Sequence, residues 1–331
     1  MDQILIVFQV CLAVYLLALL WFLAGLFKAD PERTTERPMV SVIVAARNGN
    51  QNLRRLLPML QEQEYPLSKL EIIFADDGLS SGSRGYLQEA ARNDTRLKVV
   101  DSSAGDSRLN YKKRALDAAI KHSQGELLLF TDVDCMVEPQ WVSTMASYFR
   151  PGIDYVVGWS QVGAESEADR DALSPLRERP LAVFEQMDFL MLMLAARGTA
   201  LQGIPLASSG QNQAYRRSVY ERTGGFIDLA GHTQGDDSLY LQLARRKAKS
   251  KVTFAVDPAG RAVTEPLTTV ADFLRQRIRW AGDAAAMWRY NPLFLPIAIA
   301  TFGANALLLI LVPLSFINPG AVLPVLVPGL V

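Results

Sequence analysis

Leu70-Glu71-Ile72-Ile73-Phe74-Ala75-Asp76-Asp77-Gly78 decides the fold: a run of strand length that stops abruptly at two carboxylates and a glycine. A short, nearly continuous apolar run reads as a strand buried on both faces, as parallel strands are. The pattern recurs on either side. Val40-Ser41-Val42-Ile43-Val44-Ala45-Ala46 precedes it, Leu97-Lys98-Val99-Val100 follows it, and Glu126-Leu127-Leu128-Leu129-Phe130-Thr131 runs into Asp132-Val133-Asp134. Between these strands lie segments of helical spacing at 52–63, with Leu53, Leu56, Leu57 and Leu60 on one face, at 83–93 and at 111–123. Strand and helix alternate, which predicts an α/β fold with a doubly wound, mainly parallel sheet. Ligands of such sheets bind beyond the carboxyl ends of the strands. Both early acidic clusters fall at those ends.

Working outward, two apolar runs bracket this region. Residues 4–27 carry no charge and are long enough to cross a hydrocarbon core of about 30 Å. A secretory signal would need a basic start and a small-residue cleavage site, whereas this N-terminus offers Asp2 and ends its run at Leu26-Phe27-Lys28. Lys28, Arg33 and Arg37 follow at once, so the positive-inside rule leaves the N-terminus outside and the bulk of the chain in the cytoplasm. A second run spans 293–317. Asn318-Pro319-Gly320 then turns into the apolar tail 321–331, which is too short to cross as a straight helix. That tail reads equally as a truncated span, a re-entrant piece or an interfacial segment. Pro31 and Pro38 mark a polar linker, residues 165–180 a charged surface excursion, and residues 181–194 a Met-rich helix packed in the core or at an interface.

Composition removes whole classes of function. Lys+Arg and Asp+Glu both count 34, so the chain lacks the basic surplus of a nucleic-acid binder. Two cysteines, Cys11 and Cys135, make neither a disulfide framework nor a zinc site, and two histidines, His122 and His232, argue against a histidine triad. No internal repeat, G-x-G-x-x-G or Walker A sequence is present.

What remains is acidic. Asp132 and Asp134 project to one side of an extended segment, since side chains alternate with period 2, and this suits holding Mg²⁺ or Mn²⁺ against a diphosphate. A solvated surface pair is the alternative, and the preceding apolar strand argues against it. Asp76 and Asp77 can accept hydrogen bonds from a nucleobase or ribose; otherwise they cap a helix together with Ser80, Ser81 and Ser83. Asp236 and Asp237 precede a helix through Leu239, Leu241 and Leu243, and read as a cap or as a base tuned by its like-charged neighbour. In Gln276-Arg277-Ile278-Arg279-Trp280, the first, fourth and fifth residues share a helical face. There Arg279 can clamp a diphosphate and Trp280 can offer a platform to a sugar ring. The competing view is a membrane-interface belt with Trp288, Arg289 and Tyr290.

Taken in order, these motifs resemble glycosyltransferase family 2, the inverting transferases of Rossmann-like GT-A fold, and within it the membrane-anchored branch with a Q-x-x-R-W motif. That branch includes cellulose, chitin and hyaluronan synthases and ceramide glucosyltransferases. The resemblance covers residues 38–288. Residues 41–48 look like the family's opening strand and donor loop, Lys112-Lys113-Arg114-Ala115-Leu116 like its K-x-x-A-L helix, and Gly210-Gln211-Asn212-Gln213-Ala214-Tyr215-Arg216, followed by Gly224-Gly225-Phe226, like its acceptor segment. Two departures stand out. The family's Pro and Glu in the opening loop are here Ala45 and Gly49, and its Glu-Asp pair is Asp236-Asp237.

The resemblance implies donor contacts at Ala45, Arg47, Asp76, Asp77, Lys112 and Asp132, and a metal on Asp132 and Asp134. It further implies a general base at Asp237 beside Asp236, and acceptor or diphosphate contacts at Gln276, Arg279 and Trp280. It implies an anchor and linker at 1–37, a catalytic domain at 38–288 and a membrane region at 289–331. The activity it implies is transfer from a nucleotide-diphosphate sugar, expected to be UDP-linked, to a polysaccharide or lipid acceptor. The enzyme would be an integral protein of the cytoplasmic membrane facing the cytosol, with partner subunits if the product is an exported polysaccharide. Its alternatives are transfer of a single sugar to a membrane lipid, and an inactive scaffold.

Overall fold

The computed structural model describes residues 2–47, 50–163, 180–320 and 322. Asn48 and Gly49 of the opening loop, the charged excursion up to residue 179 and nearly all of the tail beyond residue 320 lie outside them. The strands β1 (Val40–Ala46), β2 (Leu70–Asp76), β3 (Leu97–Asp101) and β4 (Leu127–Phe130) are parallel, in the order β3-β2-β1-β4. The last is shorter at both ends than its apolar run suggests. Alternation along β1 explains the two-sided core. Val40, Val42 and Val44 point into one layer with Leu53, Leu56, Leu57 and Leu60 of α2 (Asn50–Gln61) and Leu87 of α3 (Ser81–Asn93). Ile43 faces the other layer with Ala115, Leu116 and Ala119 of α4 (Tyr111–His122).

The remaining strands mix parallel and antiparallel pairing. After β5 (Cys135–Val137) and α5 (Trp141–Ser147) come β6 (Tyr155–Val157) and β7 (Ser160–Val162). Further on, β8 (Gln213–Arg216) runs antiparallel to both β4 and β6, and β9 (Val252–Phe254) extends the seven-stranded sheet to β3-β2-β1-β4-β8-β6-β9. A small second sheet pairs β5 and β7 with β10 (Ala262–Thr264). Buried Asn212 joins the two sheets. Its Nδ2 donates to the carbonyls of Trp159 and Gly260, both at 2.8 Å, while its Oδ1 accepts from Trp141 Nε1 at 3.0 Å.

The helices are α1 (Asp2–Leu26), α6 (Pro180–Leu201), α7 (Arg217–Thr223), α8 (Ser238–Lys247), α9 (Val270–Met287) and α10 (Phe294–Ile317). Segments 3–26 and 294–317 are long and apolar enough to cross a membrane by length and composition. α1 packs against both α10 and α6. Against α6 the backbones nearly touch: a Cβ on Gly25 would collide with the Gly198 carbonyl, and one on Gly198 with that of Phe22. The linker after α1 is fastened to the α/β body and to α6 rather than loose. Thr34 N–H donates to Ser147 O at 2.7 Å, Asp30 pairs with Arg197 at 3.2 Å, and Glu32 and Arg33 pair with Arg150 and Asp257.

Candidate active site

β4 stops one residue before Thr131, and Asp132 and Asp134 follow at its carboxyl end, both half-buried. The helix α4 starts at the same edge of the sheet. Its first residue, Tyr111, has φ of +51°, and the next, Lys112, reaches back over the strand end. Lys112 Nζ lies 2.6 Å from Asp132 Oδ1 and 3.0 Å from Asp236 Oδ2. Burial alone would depress the lysine, but Asp132 and Asp236 outweigh it and hold its pKa well above the usual value. Burial, and then the charge of Asp132, push the Asp134 carboxyl upward.

The loop bearing Asp236 and Asp237 is held from several sides. Gln213, fully buried on β8, donates from Nε2 to Asp236 O at 2.9 Å, and its Oε1 accepts from Ser208 Oγ at 2.9 Å and from Tyr155 OH. Ser238 Oγ accepts from Ser208 N–H at 3.0 Å and donates to Ser208 O at 2.9 Å. Lys113 is wholly buried and donates to the carbonyls of His232 and, at 2.7 Å, Gln234. Asp237 is the N-cap of α8, accepting from Ser238 N–H at 2.5 Å, and its Oδ2 also accepts from Gly210 N–H at 3.3 Å. A Cβ at Gly210 would stand 3.0 Å from Lys112 Nζ, 3.2 Å from Asp236 Oδ2 and 3.7 Å from Asp237 Oδ2. One small volume thus gathers Lys112, Asp132, Asp236 and Asp237, with Asp134 beside it.

The Asp76-Asp77 pair divides. Asp76 is occupied: it accepts from Gly78 N–H at 3.0 Å, Leu79 N–H at 2.9 Å and Arg84 Nε at 2.5 Å, closing the turn that Gly78 makes at φ of +98°. Asp77 is the half-buried, available acid. Its pKa is raised, mainly by burial, against the pull of Arg47 and a hydrogen bond from Ser102. Neither acid caps α3, whose cap is Ser80, accepting from Ser83 N–H at 3.2 Å. Ala45 lies opposite Ala75 in the ladder, and Arg47 is exposed at the strand's end.

α9 is arranged differently from the motif-based expectation. Trp280 is half-buried, with its ring 6.0 Å from that of Phe189 on α6, and Gln276 accepts from Arg277 Nη1 at 3.0 Å. The residue that organises this face is Arg277, which was not among the candidates. Its guanidinium lies over both Phe273 (4.5 Å) and Trp280 (4.3 Å) and pairs with Asp188 of α6. Spacing of i, i+4 and i+7 through Phe273, Arg277 and Trp280 was the available signal. Arg279 is exposed, and among the described residues none of Gln276, Arg279 and Trp280 is hydrogen-bonded or ion-paired to the acidic cluster.

A divalent ion suits the donor set. Asp132 and Asp134 offer hard carboxylate oxygens at one strand end, and the carboxyl of Asp134 is raised by burial and by Asp132 despite the pull of Lys112 and Arg55. Among the described residues no three His, Cys, Asp or Glu side chains form a metal cluster, so other ligands would have to come from substrate oxygens and water.

Known proteins are similar to this chain in sequence or in fold. The chain is 30% identical over 131 residues (38% of the chain, 40% of the relative) to glycosyltransferase AglE of Haloferax volcanii. It is 27% identical over 245 residues (74% of the chain, 48% of the relative) to a beta-monoglucosyldiacylglycerol synthase of Trichormus variabilis. The chain thus spans about half the length, or less, of these curated relatives. Among solved structures it is similar in fold to the mannosyltransferase PcManGT from Pyrobaculum calidifontis, in complex with GDP-Man and Mn²⁺. The TM-score is 0.68 at 20% identity, over 97% of the chain and 92% of that structure. The α/β fold with its mainly parallel central sheet is therefore GT-A-like. The model of the family described as Glycosyl transferase family 2 matches residues 41–224, more than half of the 331-residue chain; the chain belongs to that family.

Proposed function

We propose that this is a membrane-anchored, inverting glycosyltransferase that moves a sugar from a nucleotide-diphosphate sugar, probed first as the UDP form, to a glycan or lipid acceptor at the cytosolic membrane face. One observation carries this most: Lys112, Asp132, Asp236 and Asp237 meet around Gly210. Asp132 and Asp134 are the residues that would hold Mg²⁺ or Mn²⁺, which offsets the charge of a leaving diphosphate when bound. Asp77, with Arg47 and Ala45 beside it, takes the nucleoside end, and Asp76 braces the turn that presents Asp77. Asp237 accepts the proton of the acceptor hydroxyl as it attacks the anomeric carbon, so a single displacement inverts that centre.

Residues 1–37 serve as anchor and linker, 38–288 as the catalytic domain and 289–331 as a second membrane region. Gln276, Arg279 and Trp280 are assigned to the acceptor end, with Arg279 the group free to reach a phosphate. A lipid acceptor is supported by the apolar side chains that α6 and α9 leave exposed, among them Phe184, Met187, Leu274 and Ile278, next to the membrane-length helices. The name of the Trichormus relative points the same way. Incubating the detergent-purified protein with a panel of nucleotide sugars and membrane lipids, followed by mass spectrometry, tests this. A glycosylated lipid, lost in excess chelator and restored by Mn²⁺ or Mg²⁺, is the expected result. No donor consumed with any sugar would leave the scaffold alternative standing; a polymer would point instead to synthesis with export partners.

A further inference from the structure

One ammonium bridges two parts of the site that the reaction requires to act separately. Lys112 ties the strand end holding Asp132 to the loop holding Asp236, at 2.6 and 3.0 Å. Its neighbour Lys113 grips the same loop from inside through the His232 and Gln234 carbonyls, and is wholly buried. Lys112 is not: about a third of its side chain is exposed, with exposures of 34% against 8% for Asp236. The turn that delivers both lysines is strained, because Tyr111 holds φ of +51°, a region that a bulky side chain rarely adopts. Tyr111 itself is 56% exposed, so more than half of it faces solvent. The crossing is also crowded, as the 3.0 Å and 3.2 Å approaches of a Gly210 Cβ to Lys112 Nζ and Asp236 Oδ2 indicate.

We propose that Lys112 is a mobile latch. In the donor-free protein it clamps the Asp236-Asp237 loop to Asp132. When the donor diphosphate arrives, the ammonium moves to the phosphate oxygens, freeing Asp132 for a divalent ion and Asp236 for the loop to settle on the acceptor. The inference rests on the nucleotide-sugar function proposed above. Its physical basis is competition: an ammonium and a dication cannot share one half-buried carboxylate oxygen without strong repulsion. Lys113 keeps the loop attached while Lys112 exchanges partners, and the strained turn at Tyr111 lowers the cost of leaving the clamped position.

Opposite signs in two binding measurements distinguish a latch from a structural lysine. With the full chain in detergent, Lys112→Gln should bind Mn²⁺ alone about tenfold more tightly than the wild type, since a competing unit charge has gone. With Mn²⁺ present, the same variant should bind UDP or GDP about tenfold more weakly, because a phosphate partner has gone. Amide exchange across 231–238 should be faster in unliganded Lys112→Gln, and faster in the wild type once Mn²⁺ and nucleotide are added. Asp236→Asn breaks the clamp from the other side and should free the loop while leaving nucleotide affinity near the wild-type value. Unchanged Mn²⁺ affinity and loop exchange in Lys112→Gln, with nucleotide still bound by the wild type, would overturn the latch and leave the transferase proposal intact. Weaker binding of both Mn²⁺ and nucleotide, with exchange raised throughout the chain, would make Lys112 a structural support and equally overturn it. A wild type that binds neither nucleotide would remove the proposed function, and the latch with it.

Discussion

Asp237 and Asp236 are adjacent in sequence yet differently placed, and that difference can be measured. Asp237 caps α8 and faces Gly210, while Asp236 is buried against Lys112. Asp237→Asn keeps the shape and removes the proton acceptor, so turnover should fall by about 10² to 10⁴ with donor affinity little changed. Asp236→Asn should lose less turnover, read in the same steady-state assay; if it loses more, the base belongs at Asp236. Gly210→Ala should abolish most transfer without unfolding the protein, because its methyl would crowd Lys112 and Asp236. The unfolding temperature, measured beside the activity, separates these outcomes. At the far end of the sheet, buried Glu71 accepts from Gln124 N–H, Lys98 and Ser41. Burial raises its pKa, yet these donors outweigh burial and bring it below 4.5. A depressed carboxyl contributes stability that is complete above its unfolded value and is lost as pH falls through the folded one. Between pH 6 and pH 3.5 the wild type should therefore lose more thermal stability than Glu71→Gln, which starts lower at pH 6. The roles of these acids were only partly legible. Each cluster could be seen at a strand or helix end, but the division of Asp76 from Asp77 depends on Arg84 eight residues later, and the latch on a lysine that sequence assigned to the donor alone.

Elements were more legible where they are long and buried. Of the four parallel strands, β1, β2 and β4 appear as apolar runs because both faces are covered, the partly exposed edge strand β3 appears as a shorter one, and α2, α3, α4 and α8 appear through their spaced leucines and alanines. The strands β5 to β10 did not, since each has only three or four residues, too few for a period to register, and the antiparallel entry of β8 is a tertiary choice. α6 was foreseen as a Met-rich helix, but not its close approach to α1. That approach predicts a steric result: Gly198→Leu must push α1 away and should destabilise by roughly 1–3 kcal/mol, as overpacking does. Thermal unfolding in detergent checks it, with Ala195→Leu, one turn earlier on α6, as a control for side-chain size. On α9, Arg277→Ala should lower stability by removing a cation stacked on two rings and paired with Asp188, whereas Arg279→Ala should leave stability unchanged and weaken donor binding. Equal losses of stability from both would contradict the division of roles.

For the whole molecule, charge predicts the orientation of the proposed membrane anchor. Lys28, Arg33 and Arg37 lie just past the first apolar helix, so under that proposal the positive-inside rule predicts the sheet and its acids on the cytosolic side. Lys249→Cys puts a thiol on an exposed turn of that body, and an impermeant maleimide should label it in inverted vesicles but not in intact cells. Labelling in intact cells would reverse the orientation.

The fastened linker has one further consequence. Because residues 30–34 are pinned to Arg197, Arg150, Ser147 and Asp257, the α/β body cannot swing freely on the first apolar helix. Under the proposed membrane anchoring, that sets the altitude of the acidic site above the bilayer. A lipid acceptor would then be met in a plane, where two-dimensional diffusion brings it past at one height. Lengthening the linker by a flexible insert after residue 34 would trade that fixed altitude for a range of them. Transfer to a bilayer-embedded acceptor should slow, while hydrolysis of the soluble donor continues at its former rate.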